Sequence, residues 1–88
     1  MPEINLVIRN KVGLHARPAV LFVQAAQKFQ SDIRVIKNDA EGNAKSFRSV
    51  LALGVNQDDE VAIRAEGLDA DEALAVLAKL VEDNFGER

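Results

Sequence analysis

Cysteine, tryptophan and tyrosine are absent, and there is a single histidine among 88 residues. Without cysteine there is no disulfide and no thiolate metal site, which fits a reducing compartment. One histidine excludes a multi-histidine metal centre within the chain. Four phenylalanines are the only aromatics, so aliphatic side chains have to fill the core. Long apolar runs are missing too. Runs such as Ala19 to Val23 fall far short of the roughly 20 residues that span a bilayer, so no membrane insertion is expected. No run of Lys or Arg appears, and the net charge is −3. A duplex nucleic-acid binder normally carries a basic stripe, so that class is set aside. Met1-Pro2-Glu3 offers neither a basic nor an apolar leader segment, and a cytoplasmic protein is expected.

What remains is ordinary and globular. Apolar residues make up 48% of the chain and charged residues 28%, and the length fits one domain over residues 1–88. Ile4, Leu6 and Ile8 alternate with Asn5, Val7 and Arg9, a period-2 strand with one apolar face. Residues 10–15 break the pattern. From Ala16 the spacing becomes helical, with Ala19, Val20, Phe22, Val23 and Ala26 on one broad face. Pro18 is tolerated in the first turn, where its missing N–H has no helical partner anyway. Asp32 to Lys37 reads as a second strand. Residues 38–43 form a turn-rich stretch that closes a hairpin onto a short strand near Gly42 to Lys45. Ser46 precedes a short helix, Phe47 to Leu53, with Gly54 at its C′ position. Glu60 to Glu66 is a strand. Asp69, with Glu72 three residues on, predicts a capping box for a helix running to about Phe85. The order βαββαβα describes an α+β fold of two layers, an antiparallel sheet with one face covered by helices.

The segment Gly13-Leu14-His15-Ala16-Arg17-Pro18 stands out chemically. His15 sits just before a helix start, where unpaired backbone N–H groups and the macrodipole favour an anion. Arg17 adds a permanent cation with a planar donor fork suited to phosphate. The helix terminus disfavours a second positive charge, and a neutral ring nitrogen is a nucleophile. The pattern suits reversible attachment of a phosphoryl group to His15, with no metal and no second titrating side chain in this chain. Taken alone, however, a histidine at a loop–helix junction is more often a solvated residue or a helix-end hydrogen bonder.

The run Gly13-Leu14-His15-Ala16-Arg17-Pro18-Ala19 resembles the active-site signature of the histidine-containing phosphocarrier family HPr, of the bacterial phosphoenolpyruvate:sugar phosphotransferase system. Lys45-Ser46 opening a short helix that ends in Leu53-Gly54 resembles the family's second signature. Spacing, length and element order agree over essentially the whole chain. The resemblance implies an open-faced sandwich, with a sheet ordered 1-4-2-3 and three helices on one face. It implies a carrier, not an enzyme with its own turnover, that needs no cofactor. Such a protein accepts a phosphoryl group from phosphorylated enzyme I on Nδ1 of His15 and donates it to the enzyme IIA domains of sugar permeases. Arg17 matches the arginine that assists at the phosphate. Ala16 and Pro18 support the helix start. Ser46 matches the serine that a dedicated kinase and phosphorylase modify in many relatives, although a serine here is also simply a good N-cap. The same matching places Ala16, Val20, Gln24, Phe47, Arg48 and Leu51 on a partner-binding face, with core packing the alternative for Val20 and Leu51. A monomer is the default.

Three residues depart from the family pattern. Val12 replaces a small polar residue, Arg48 stands where many serine-regulated relatives are apolar, and Asp39 replaces a frequent glycine, so a different hairpin turn is expected. Two alternatives share much of this description. A carrier of a nitrogen-related or dihydroxyacetone kinase branch would use the same residues. A regulatory binding module would lack the acceptor histidine that this chain keeps.

Overall fold

The computed structural model describes residues 2–86. In chain order the elements are β1 (Glu3–Val7), α1 (Ala16–Gln27), β2 (Asp32–Lys37), β3 (Ala40–Asn43), α2 (Phe47–Ala52), β4 (Glu60–Glu66) and α3 (Ala70–Glu82), followed by a 3-10 turn at Asn84–Gly86. The strands form one antiparallel sheet in the order β1-β4-β2-β3. Ile4, Ile63, Val35 and Gly42 lie opposite one another across all four strands. With Leu6, Val61, Ile33 and Ala65 they make the apolar face, on which α1 and α3 bury Ala19, Phe22, Val23, Ala73, Leu74 and Leu77. Gly42 belongs to this face because α2 presses on it: a Cβ there would lie 3.1 Å from the Ser49 carbonyl oxygen. The opposite face is polar and carries two exposed ion pairs, Arg64–Glu3 and Arg34–Asp32, of the kind that contributes little to stability.

The returning strand of the hairpin lies earlier than the sequence expectation of Gly42 to Lys45. Lys37 pairs with Ala40, so the loop is only Asn38-Asp39 and β3 begins at once instead of at Gly42. Asn38 takes the left-handed conformation (φ 54°) and Asp39 does not; the type I′ turn, which needs both, is not formed. β3 then stops early because Asn43 turns the chain: its Oδ1 accepts the Lys45 N–H and its carbonyl accepts the Ser46 N–H. Ile8 falls just beyond β1 but is fully buried, with its backbone paired to Asp58 and Asp59.

Helix α3 departs at both ends. Asp69 occupies the N-cap position but makes no capping bond. Its carboxylate instead accepts the N–H groups of Gln30 and Ser31 and the Ser31 hydroxyl, pinning the α1–β2 connection to the start of α3. Tertiary donors outcompeted the helix's own. At the other end the helix stops at Glu82, and Asn84 and Phe85 both adopt positive φ. The reversal buries Phe85, a gain of about 2–3 kcal/mol that offsets two left-handed residues at about 1–2 kcal/mol each.

The Asp69 clamp predicts a pH dependence. The Ser31 hydroxyl first, then the Gln30 N–H, hold its carboxyl below the usual carboxylate range. A depressed folded-state pKa contributes stability above the unfolded value and loses it as pH falls through the folded value. Asp69→Ala is therefore expected to lower the melting temperature at pH 7, with the difference from wild type shrinking below about pH 4. Melting curves at several pH values check this; a constant difference down to pH 2 rules out the ionised clamp.

Candidate functional site

The loop between β1 and α1 is held from within and from below. Asn10 is buried, and its Nδ2 donates to the Gly13 carbonyl at 2.9 Å while its own carbonyl accepts the Gly13 N–H at 3.1 Å. Gly13 has φ +66°, and a Cβ on it would meet the Val55 carbonyl oxygen at 2.3 Å. Leu14 is fully buried and donates its N–H to that same carbonyl at 3.0 Å. The chain thus enters α1 anchored on the loop between α2 and β4.

His15 follows as the N-cap of α1, half-buried and in an extended conformation, with a ring that does not cap the helix. Ala16 has φ 52°, a conformation that costs an L-residue about 1–2 kcal/mol, and the chain settles into regular helix only after it. In the first turn the N–H groups of Ala16 and Arg17 have no acceptor within the helix, and Pro18 has no N–H. Pro18 and Ala19 are buried, which fixes the turn on the core. Arg17 is exposed, and among the described residues its guanidinium has no ion-pair partner. His15, the first-turn N–H groups and Arg17 thus follow one another at the start of α1. That is an arrangement for holding a phosphoryl group. Among the described residues no cluster of three or more acidic or histidine side chains is placed to hold a metal ion.

The ring has one polar neighbour that sequence reasoning missed. His15 Nε2 lies 3.3 Å from Asn56 Oδ1, a residue 41 positions along the chain. Asn56 is set in place by its N–H to Asp59 Oδ2 at 2.8 Å, and Asp59 pairs with Lys37 at 3.0 Å. The Asn56 N–H first, then Lys37, hold the Asp59 carboxyl below the usual carboxylate range. Nothing local in the 54–59 stretch marks Asn56; only the contact of Gly13 and Leu14 with Val55 brings it to the histidine.

The sheet and helix α2 bring the remaining expected residues beside α1. Ser46 caps α2, its Oγ accepting the Ser49 N–H at 3.2 Å, and Gly54 takes the expected left-handed C′ conformation. Gln27 Nε2 bonds the Lys45 carbonyl and Lys45 Nζ the Phe29 carbonyl, which ties the start of α2 to the end of α1. Val20 and Phe47 are 38% and 41% exposed, and Gln24 and Arg48 are exposed. Leu51 is half-buried and packs against the core, so much of its side chain serves the fold. Val12 adds a further exposed apolar side chain on the histidine loop.

The family model for the PTS HPr component phosphorylation site matches residues 2–83. The chain belongs to the HPr family. Phosphocarrier protein HPr of Mycoplasma capricolum is 40% identical over 94% of this chain and 93% of its own. A crystal structure of HPr from Thermoanaerobacter tengcongensis superposes with a TM-score of 0.99 at 50% identity, covering 100% of this chain and 99% of that one. The multiphosphoryl transfer protein of Vibrio cholerae is 45% identical over 91% of this chain, which corresponds to 21% of that longer protein. As a family member the chain is a phosphocarrier of the phosphotransferase system, a component that carries the group and does not catalyse its transfer. The four-stranded sheet ordered 1-4-2-3, with helices packed on one face, is the HPr fold.

Proposed function

We propose that His15 is the phosphoacceptor, that it takes its group from phosphorylated enzyme I, and that it passes it to enzyme IIA domains of sugar permeases. The observation that carries this reading is the half-buried His15 at the N-cap of α1, its ring not engaged in capping, next to first-turn N–H groups that have no acceptor within the helix. The Nδ1 lone pair attacks phosphorus, and the bond from phosphorus to the donor breaks with its electron pair leaving on the donor. In the second transfer the acceptor's nucleophile attacks phosphorus and the bond from phosphorus to Nδ1 breaks, its electron pair returning to Nδ1. Arg17 pairs with the phosphoryl oxygens. The chain works as one carrier domain in the cytoplasm, as a monomer. No helix of the described residues is long and apolar enough to cross a membrane.

The docking face combines Ala16, Val20 and Gln24 of α1 with Phe47, Arg48 and Leu51 of α2. The exposure of Val20 and Phe47 supports it, and apolar centres ringed by cations suit acidic partners. Ser46 is a regulatory site for a serine kinase and phosphorylase. A phosphate added at this helix N-terminus adds charge beside the docking face without unfolding the helix.

Intact-protein mass after incubation with phosphoenolpyruvate, magnesium and enzyme I tests the central reading. One acid-labile phosphoryl group is expected; no added mass, with enzyme I active on a known carrier, sinks it. The same measurement with ATP and a serine kinase, wild type against Ser46→Ala, tests the regulatory site. Arg17→Ala is expected to slow transfer about ten- to a hundredfold, the range of one charge-assisted hydrogen bond. Unchanged kinetics with both donor and acceptor would remove Arg17 from the mechanism.

A further inference from the structure

We infer that Asn56 is a positioning residue for phosphoryl transfer: its side-chain carbonyl keeps the imidazole proton of His15 on Nε2 and so leaves the Nδ1 lone pair free for phosphorus. The inference rests on the reading of His15 as an acceptor at Nδ1. Nε2 faces Asn56 Oδ1 at 3.3 Å, long for a hydrogen bond, as catalytic contacts often are before the partner binds. A carboxamide oxygen accepts and has no proton to give, so the ring nitrogen facing it carries the hydrogen. A neutral imidazole has one protonated nitrogen, and the other is then the nucleophile.

The backbone on both sides is fixed independently of this contact. Gly13 and Leu14 are seated on Val55, the Asn56 N–H is bonded to Asp59 and the Asp59 N–H to the Asn56 carbonyl. Lys37, which pairs with Asp59, also bonds the Gly54 carbonyl at 2.8 Å. The asparagine therefore meets the ring from a braced loop.

The same contact grows stronger as the reaction proceeds. When Nδ1 bonds phosphorus and the donor bond breaks, positive charge develops on the ring and is shared with the Nε2–H that points at Oδ1. Hydrogen bonds to charged groups are stronger than neutral ones, so the contact favours the transition state over the free ring. When the phosphoryl group leaves, the ring returns to neutrality with its proton still on Nε2. No proton has to move in either direction of transfer.

The chain's one histidine makes its ring nitrogens readable without assignment. In 15N-histidine-labelled protein, the neutral ring is expected to show a protonated Nε2 and a bare Nδ1. Asn56→Leu, similar in size but without an acceptor, is expected to raise the Nδ1–H population. It is also expected to slow single-turnover transfer from phosphorylated enzyme I about three- to tenfold, with KM unchanged. Asn56→Asp keeps an acceptor and is expected to restore the Nε2–H form. A merely structural role would lower the melting temperature without moving the tautomer. A protonated Nδ1 in wild type, or equal tautomer populations and rates in wild type and Asn56→Leu, overturns the proposal. Acid-labile mass gain on the wild type, absent in His15→Ala, checks the parent reading in parallel. If that gain is seen, failure of the Asn56 variants counts against Asn56 alone; if it is absent, both fall.

Discussion

His15→Ala is expected to accept no phosphoryl group from enzyme I while keeping the fold of the wild type. The loss should be complete because the chain offers no substitute: it has one histidine and no cysteine, and a nucleophile of another kind would not stand at the N-cap of α1. The fold should survive because His15 is half-buried and, among the described residues, the one hydrogen-bond partner of its ring is the exposed side chain of Asn56. The elements that place it, Leu14 and Pro18–Ala19, are buried and are left intact by the change. Mass spectrometry and a melting curve on the same preparation decide the matter. Undiminished phosphorylation in the variant refutes the assignment of His15, whereas loss of both phosphorylation and fold shows that the histidine is structural.

The second large effect is expected from a residue that carries no chemistry. Gly13→Ala meets two obstacles. Its φ of +66° costs an alanine about 1–2 kcal/mol. Its Cβ would also stand 2.3 Å from the Val55 carbonyl oxygen and 2.7 Å from the Asn56 Cα, and backbone atoms cannot rotate away as a side chain can. Relief requires the two loops to separate, which strains or breaks the Leu14 N–H bond to Val55 at about a further 1–3 kcal/mol. A loss of about 2–5 kcal/mol in urea unfolding is expected. Transfer should fall as well, because displacing the imidazole by an ångström costs about a hundredfold. Gly54→Ala is the control. Gly54 has φ +64° but open space around a Cβ, so it bears the conformational cost alone, about 1–2 kcal/mol. Equal effects at the two glycines would show that close approach to Val55 is not what Gly13 provides.

Both experiments bear on a site assembled from two loops that are far apart in the chain. The histidine loop supplies the nucleophile and the helix start, and the 54–59 loop supplies the seat. The ion pair of Asp59 with Lys37 braces that seat against β2. Effects at Gly13 and at Asn56 are therefore expected to couple, since the first sets the distance across which the second acts.

The amino-acid sequence by itself determined the element order, the sheet's apolar face, the short helix capped by Ser46 and the motif around His15. Each is local: alternation in Ile4, Leu6 and Ile8, a helical stripe through Ala19, Phe22, Val23 and Ala26, a serine placed to cap and a glycine placed to stop a helix. Tertiary structure decided what no local signal encodes. Asp69 has the spacing of a helix cap, yet two backbone N–H groups and a hydroxyl from the α1–β2 connection take its carboxylate, because three hydrogen bonds outweigh one. Phe85 fits the stripe of α3, yet the helix ends at Glu82 and the ring is buried from a reversal with positive φ at Asn84 and Phe85. The returning strand, expected near Gly42 to Lys45, runs instead over Ala40–Asn43, because β2 pairs to its last residue. Asn56 met His15 for the same kind of reason: a contact across 41 positions depends on how the sheet and helices bring two loops together, and that is a property of packing and not of any stretch of sequence.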